Sequence, residues 1–462
     1  MDKIMDEIVQ VRMSDAVAAA SATSVNTAAV VGVTTKDEAA TQVLYSQDAV
    51  KQAYETGTKR VIIIDPSVAT AASGDVVLKL GTTAVSTVAV KESTTVRSLV
   101  KGLAANFSCE GYSAQASSTS LTITSDAYGA TASEDGAFSI VYNSTGFFGS
   151  PTNTDGTEGS DLVKVTESFF EEEYNPGRIV CIPVGSDPTG ANIADTLDGA
   201  VNLGKDANNR DIDFYNVIIR LGEGATKSSV VSLVSALESW CKTNFRTGHV
   251  EVQDRTVAED AMAELSANPP TRVAVYFHKE TSGKSLAAAL VSDRCGHDPA
   301  RGTWAHKTLN SITPDATSRE NFIDAEELGL NVYVKVAGVN RTYFGTTGSK
   351  TKFIDSVVKK DWLKFRTQEA IFNILGSANN GDGVDFNDDG INSVVASMTD
   401  IFSTAQDTEH RYVLPDSWDI TAPLYKEIPQ ADKAVRNLPR VRATFSIQES
   451  IHTVKTVELQ VI

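Results

Sequence analysis

Apolar residues along the chain follow two rhythms, and the places where the rhythm changes divide it. Near the start, Val9, Val11 and Met13 alternate with Gln10 and Arg12, the period-two pattern of a half-buried strand. "AAVVGVT" (residues 28–34) is apolar throughout and predicts a buried strand. "SQDAVKQAYETG" (46–57) predicts a capped helix closed by Gly57, and "RVIIIDP" (60–66) another buried strand. From residue 68 to 158 the chain turns to Thr, Ser, Ala and Gly. "DVVLKLG" with "TAVSTVAVK" predicts a hairpin, "TTVRSLVKGLAANF" a helix, and "YSAQASSTSLTITSD" and "FSIVYN" further strands. The Gly/Ser/Thr/Asp-rich run "GSPTNTDGTEGSD" closes this module.

Apolar strands then alternate with amphipathic helices. The strands are "RIVCIPV", "FYNVIIRL", "HVEVQD" and "TRVAVYF". Between and after them come helices from Asn192 to Ala207, in "SSVVSLVSALESWCKTN", in "VAEDAMAELSAN" and in "SLAAALVSDR". Strands that are apolar on both faces imply a sheet covered on both sides by helices. The strands at Ala28 and Val61 are expected to join it, which makes the Thr/Ser-rich module an insertion. After "NVYVKVAGVN" a long helix is expected from about Phe353 to Leu375, with Ile354, Val358, Trp362, Phe365 and Phe372 as its apolar stripe. The end, "RVRATFSIQESIHTVKTVELQVI", alternates again at Phe445 and Ile447 and at Val457, Leu459 and Val461. Apolar strand edges of this kind pair with another chain unless something covers them.

The expected fold is therefore an α/β core, with a mixed or parallel sheet and helices on both faces, plus a C-terminal α+β domain and an inserted β-rich domain. The bounds are an N-terminal arm 1–27, core 28–67 and 159–330, insertion 68–158, C-terminal domain 331–440 and a strand arm 441–462. Composition changes little here: 41% hydrophobic and 22% charged residues are ordinary for a globular chain. Charge changes more. A net charge of −18 over 462 residues repels nucleic-acid backbones, so a DNA or RNA partner is not expected. Cys109, Cys181, Cys241 and Cys295 are widely spaced without a C-x-x-C pair, which suits reduced thiols and synthesis in a reducing cytoplasm. Neither a signal peptide nor an 18-residue apolar run is present, so membrane insertion is not expected.

Three stretches have the outline of chemistry. "DFNDDGINSVVA" places Asp385, Asn387 and Asp389 at positions one, three and five of a calcium loop and Gly390 at six. Position twelve, which needs a bidentate Glu, is Ala396, and the apolar residues after Gly390 have helical spacing. Asp388 or Asp389 is expected to cap that helix instead. "HKETSGKS" (278–285) follows a strand and ends Gly-Lys-Ser like a phosphate loop, but His278 stands where the first glycine must be. "RCGHDPARGTWAH" brings Cys295, His297 and His306 together without the fourth ligand of a zinc tetrahedron. No catalytic residue, cofactor or metal is expected, and no enzymatic activity. A calcium-dependent secreted or surface β-rich binding protein is one alternative, and a phosphate-loop enzyme another.

The C-terminal part resembles a known family. "NVYVKVAGVNRTYFGTTGSKTKFIDSVVKKDWLKFRTQEAIFNIL" followed by "FNDDGINSVVASM" resembles the tail sheath proteins of contractile-tailed bacteriophages. There an N-x-Y-V strand, a glycine-containing loop with "FID", a helix around "DWL" and a D-x-G-I turn follow in that order. The closing strand is similar too. The resemblance implies a structural subunit that wraps an inner tube in helical rings, exchanges terminal strands with its neighbours and contracts to drive the tube through the target envelope. It implies itself, a tail tube protein, and baseplate and terminator proteins as partners, and the virion tail as location. Val9, Val11, Met13, Val457, Leu459 and Val461 would then be inter-subunit strand residues. Lys433, Arg436, Arg440 and Arg442, a basic cluster in an acidic chain, would face the tube.

Overall fold

The computed structural model describes residues 24–34, 36, 39–55, 57–66, 69–70, 72–128, 130–142, 151–156, 160–279, 284–377 and 383–453. The expected arm residues Val9, Val11, Met13, Val457, Leu459 and Val461 lie outside them. In chain order, β1 (Ala28–Val33) and β2 (Gln42–Leu44) precede α1 (Gln47–Tyr54) and β3 (Lys59–Ile64). Then come β4 (Gly74–Leu80), β5 (Thr83–Val90), α2 (Val96–Ala105), β6 (Tyr112–Ala116), β7 (Leu121–Tyr128), α3 (Ala132–Asp135), β8 (Phe138–Val141) and β9 (Thr152–Thr154). The alternating stretch gives α4 (Asp161–Glu171), β10 (Ile179–Val184), α5 (Ile193–Leu203), β11 (Asn216–Arg220), α6 (Lys227–Asn244), β12 (Thr247–Val252), α7 (Arg255–Leu265), β13 (Val273–Phe277) and α8 (Leu286–His297). The rest is α9 (Arg319–Leu328), β14 (Asn331–Val336), β15 (Val339–Tyr343), α10 (Ile354–Ser377), α11 (Asp388–Gln406), β16 (Asp419–Thr421), α12 (Gln430–Ala434) and β17 (Arg442–Thr444). The fold is mixed α/β.

The chain divides into two compact units, residues 1–34, 38–53 and 161–462 against 35–37 and 54–160. The larger is built on an eight-stranded sheet of order β15-β14-β13-β12-β11-β1-β10-β2. From β10 to β14 every pairing is parallel, with Val30 beside both Cys181 and Ile218 and Val250 beside Val275. β2 and β15 close the two edges antiparallel. Every residue of β11, β12 and β13 is buried, as strands under two helical layers must be, the polar ones Asn216, Arg220, Thr247, His249 and Glu251 included. α4 and α8 pack on one side, and α5, α6, α7 and α9 on the other. Gly32 is required where α4 crosses β1: a Cβ there would stand 2.8 Å from Leu162 Cα. Asp206 protects the β2 edge by accepting from the Val43 N–H at 3.1 Å.

Two boundaries differ from expectation. β14 pairs in parallel with β13 (Tyr276 with Asn331, Phe277 with Val332), so a domain border at 331 would run through the sheet. β3, expected beside β1, instead pairs with β7 and β9 in the smaller unit. Its four-apolar run hides an alternation. Arg60, Ile62 and Ile64 are buried while Ile63 is 38% exposed, which is the pattern of a half-solvated antiparallel strand. The insertion thus begins at about Tyr54 rather than residue 68.

That smaller unit has two antiparallel sheets, β6-β7-β3-β9 and β5-β4-β8, with α2 packed on β5, β6 and β7. Ile62, Ile64, Val76, Leu78, Leu99, Leu103, Leu121, Ile123 and Phe138 form its core. Arg60 is fully buried there, donating from Nε to Asn153 Oδ1 (2.7 Å) and from Nη1 to Tyr112 Oη (3.0 Å).

Candidate assembly surface

The C-terminal stretch of the larger unit begins on a rigid platform. α10 is fixed to the N-terminal ends of the sheet strands by buried charges. Arg272, just before β13, grips Asp361 with two hydrogen bonds of 2.6 and 2.8 Å, and the Tyr215 hydroxyl donates to the same carboxylate at 2.6 Å. Burial and the Asp361 charge push the Tyr215 phenol well up. Lys359, 1% exposed, pairs with Asp355 at 2.7 Å and donates to the Gln448 carbonyl at 2.7 Å. The Lys364 ammonium sits 4.1 Å from the centre of the Phe245 ring. Of the expected apolar stripe, Ile354, Val358 and Phe365 are buried, whereas Trp362 and Phe372 are only half-buried.

The stretch after α11 buries few of its own side chains. Between Leu414 and Thr453 only Ile428 is buried. β16 and β17 form a two-stranded ribbon, with Ile420 opposite Ala443, and among the described residues no third strand joins it. Phe402 of α11 anchors the ribbon against Trp418 and Phe445, with ring centres 5.6 and 5.3 Å away. Antiparallel pairing continues to Val413 and Ile447, with Leu414 N donating to Ser446 O and Gln448 N to Tyr412 O. Val435 is 73% exposed and Ile451 84%. An isolated two-stranded ribbon is marginal in water, and here the Phe402 ring and the Val413–Ile447 bridge tie it to the rest of the unit.

The basic cluster does not lie on one helix. Lys433 alone lies on α12, with its ammonium 4.3 Å from the Tyr425 ring centre. Arg436 and Arg440 stand outside the helix at φ +54° and +63°, and Arg442 opens β17. All three arginines are exposed, and among the described residues none has an ion-pair partner. Two non-glycine residues held in the left-handed region mark a tightly shaped loop that presents its cations to solvent.

Each stretch with the outline of chemistry has a local structural role. Asn387, not Asp388 or Asp389, caps α11, its Oδ1 accepting from Gly390 N at 2.9 Å. Asp388 accepts instead from the Tyr425 N–H at 2.6 Å. A Cβ on Gly390 would meet the Asp385 carbonyl at 1.8 Å, so close backbone approach dictates this glycine. Cys295 is buried beside the Asn216 amide, His297 bonds the Asp293 carbonyl, and His306 bonds the His452 carbonyl, so the three diverge. Among the described residues no group of three or more His, Cys, Asp or Glu is arranged to hold a metal ion.

In the phosphate-loop-like stretch, residues 280–283 lie outside the described ones. Lys284 pairs with Glu171 at 2.7 Å, and Ser285 caps α8 by accepting from Ala288 N. The fully buried Glu251 carboxylate accepts from Ser285 Oγ (2.8 Å) and Ala287 N (2.9 Å). A carboxylate of the chain therefore occupies the helix N-terminus, where a phosphate loop would hold its anion. Burial pushes the Glu251 carboxyl up, against the charges of His278 and Arg220.

Sequence reasoning missed the polar network inside the sheet. His249 bonds Tyr276 Oη at 2.9 Å and stacks on Trp304 with ring centres 5.1 Å apart, and burial drives its imidazole down to about 3. The only signal was a histidine opening an apolar strand. Among the described residues no helix is long and apolar enough to cross a membrane. A scan against protein-family models finds no match to the chain, and a search of curated proteins finds none either.

Proposed function

We propose that the chain is the structural subunit of a contractile tail sheath, polymerising helically around an inner tube and contracting to drive that tube through a cell envelope. The observation that carries the reading is the stretch from Leu414 to Thr453, which holds strand structure yet buries only Ile428. Strand addition uses such a surface: backbone groups at an open ribbon edge pair with an extended segment of another chain. The segments to add are the alternating ends of the sequence, Val9, Val11 and Met13 at one end and Val457, Leu459 and Val461 at the other. A receptor at one place and a donated strand at another make a heterologous contact, which propagates as a helix.

In this reading the eight-stranded sheet is the rigid body of the subunit, the β-rich unit is an inserted domain, and residues 441–462 carry a strand arm. Lys433, Arg436, Arg440 and Arg442 face an acidic inner-tube protein. Contacts between exposed charges are weak and salt-screened, which suits a joint that must release on contraction. Partners are further copies of the chain, the tube, and baseplate and terminator proteins, and the working location is the virion tail. The fitting of Glu251 into the helix N-terminus and of Asn387 onto α11 favours this reading over the phosphate-loop and calcium alternatives. Electron microscopy of the purified chain tests it. Hollow tubes of uniform diameter are expected, and a chain that stays monomeric at high concentration and on preformed tubes would refute it.

A further inference from the structure

A groove of about 660 Å³ opens beside the edge strand β15. Its apolar wall is Phe322, Tyr343 and Phe344, with ring centres 5.0 to 6.2 Å apart, and Val336 at the hairpin turn, 43% exposed. Phe344 is held at φ +78°, a conformation that a phenylalanine adopts only under constraint, and its ring lines this wall. His452 and Thr453, where the described chain stops, also line the groove. His452 is held in place there. Its ring bonds Thr303 Oγ1 at 2.7 Å, its carbonyl bonds His306 Nε2 at 3.1 Å, and its ring packs edge-on against Phe353 at 4.7 Å.

Nine residues follow, "VKTVELQVI". An extended segment of that length reaches about 30 Å, more than a groove of this size needs. Its alternate positions Val457, Leu459 and Val461 supply an apolar face for an apolar wall. Because Thr453 is already in the lining, these residues are tethered to the groove, at an effective concentration in the millimolar range. Another copy in free solution cannot match that.

We infer that in the unassembled subunit residues 454–462 occupy this groove in cis, and that a subunit must give up this contact before its terminal segment can join a neighbour. The first half stands on the groove alone, and the second rests on the assembly reading above. The tether supplies the regulation. Free subunits cover their own apolar terminal segment, and polymerisation waits for a site where several neighbours compete for it at once.

The test is competition by a fluorescent peptide of sequence 454–462, read by anisotropy, against the full chain. In the variant Val457→Asp with Leu459→Asp the tethered copy no longer competes. The peptide is expected to bind this variant about tenfold more tightly than the wild-type chain, as a millimolar tethered competitor implies for an intrinsic affinity near 100 μM. Adding Val336→Asp at the exposed hairpin turn should abolish the gain. The difference should also not change with protein concentration, since the competitor is in the same molecule. No binding to the variant, or equal binding to variant and wild type, would overturn the inference. A difference that grows with protein concentration would place another copy's segment in the groove and overturn it as well. None of these outcomes depends on whether tubes form.

Discussion

At the scale of the residue, the informative positions are those where a polar group is held against its preference. Glu251 is fully buried with two donors on Oε2 and, among the described residues, no hydrogen-bond partner for Oε1. Its raised pKa means that the folded chain keeps this proton at pH values where the unfolded chain has lost it. Stability from this group is therefore full below the unfolded value of about 4.3 and falls as pH rises through the folded value. Glu251→Gln should remove that downward slope and leave neutral-pH stability equal or higher. Glu251→Ala, which strands the Ser285 hydroxyl and the Ala287 N–H, should cost about 1–3 kcal/mol. Urea unfolding at pH 5 and pH 8 distinguishes the two. Arg436 and Arg440 pose the opposite case, because their left-handed backbone costs a side chain about 1 kcal/mol and their cations pair with nothing described. Glycine at either position should leave the monomer as stable or more stable, while glutamate at both should weaken assembly on tubes more than assembly of empty sheath. Equal effects on both kinds of assembly would remove the tube contact.

At the scale of the element, α10 is central, since it is tied to the sheet by the Arg272–Asp361 pair and, through Lys359, to the Gln448 carbonyl of the exposed C-terminal segment. Asp361→Ala should cost about 3–5 kcal/mol, because Arg272 is left charged and buried, whereas Arg272→Met with Asp361→Leu and Tyr215→Phe, which removes all three polar partners, should be near neutral. Thermal unfolding of the two variants decides this. The elements that the sequence made legible are those whose rhythm matches their surroundings: β11 and β13 read as largely apolar runs and are buried on both faces. β3 read the same way and misled, because isoleucine on a half-exposed face looks like isoleucine in a core. The border at 331 failed for a related reason. "NVYVKV" has the composition of a new hairpin, and only its pairing with Tyr276 and Phe277 reveals that it extends the old sheet. The Asp361 grip and the His249 network were not legible at all, since their partners are brought together by tertiary folding from far apart in the chain. Asn387 was misread in favour of its acidic neighbours, although Asn, Asp and Ser cap equally well and register alone chooses among them.

At the scale of the molecule, the two compact units invite a deletion. Replacing residues 55–159 with a short Gly/Ser bridge should leave the larger unit folded and still able to polymerise, because its sheet takes no strand from the insertion. A folded but assembly-dead product would make the module an assembly element, and light scattering reports which occurs. The central claim concerns the ends of the chain. Each strand added to the β16–β17 ribbon brings a row of hydrogen bonds of about 0.5–1.5 kcal/mol net apiece. Each apolar side chain it buries adds about 1.5–3 kcal/mol. A link of that strength can hold while subunit bodies rotate and slide. The most direct test is electron microscopy of two truncated chains, one without residues 1–13 and one without residues 455–462, beside the intact protein. Tubes are expected from the intact chain, and from each truncation a monomer whose circular dichroism shows a folded core. Tubes of normal length from both truncations would contradict the claim.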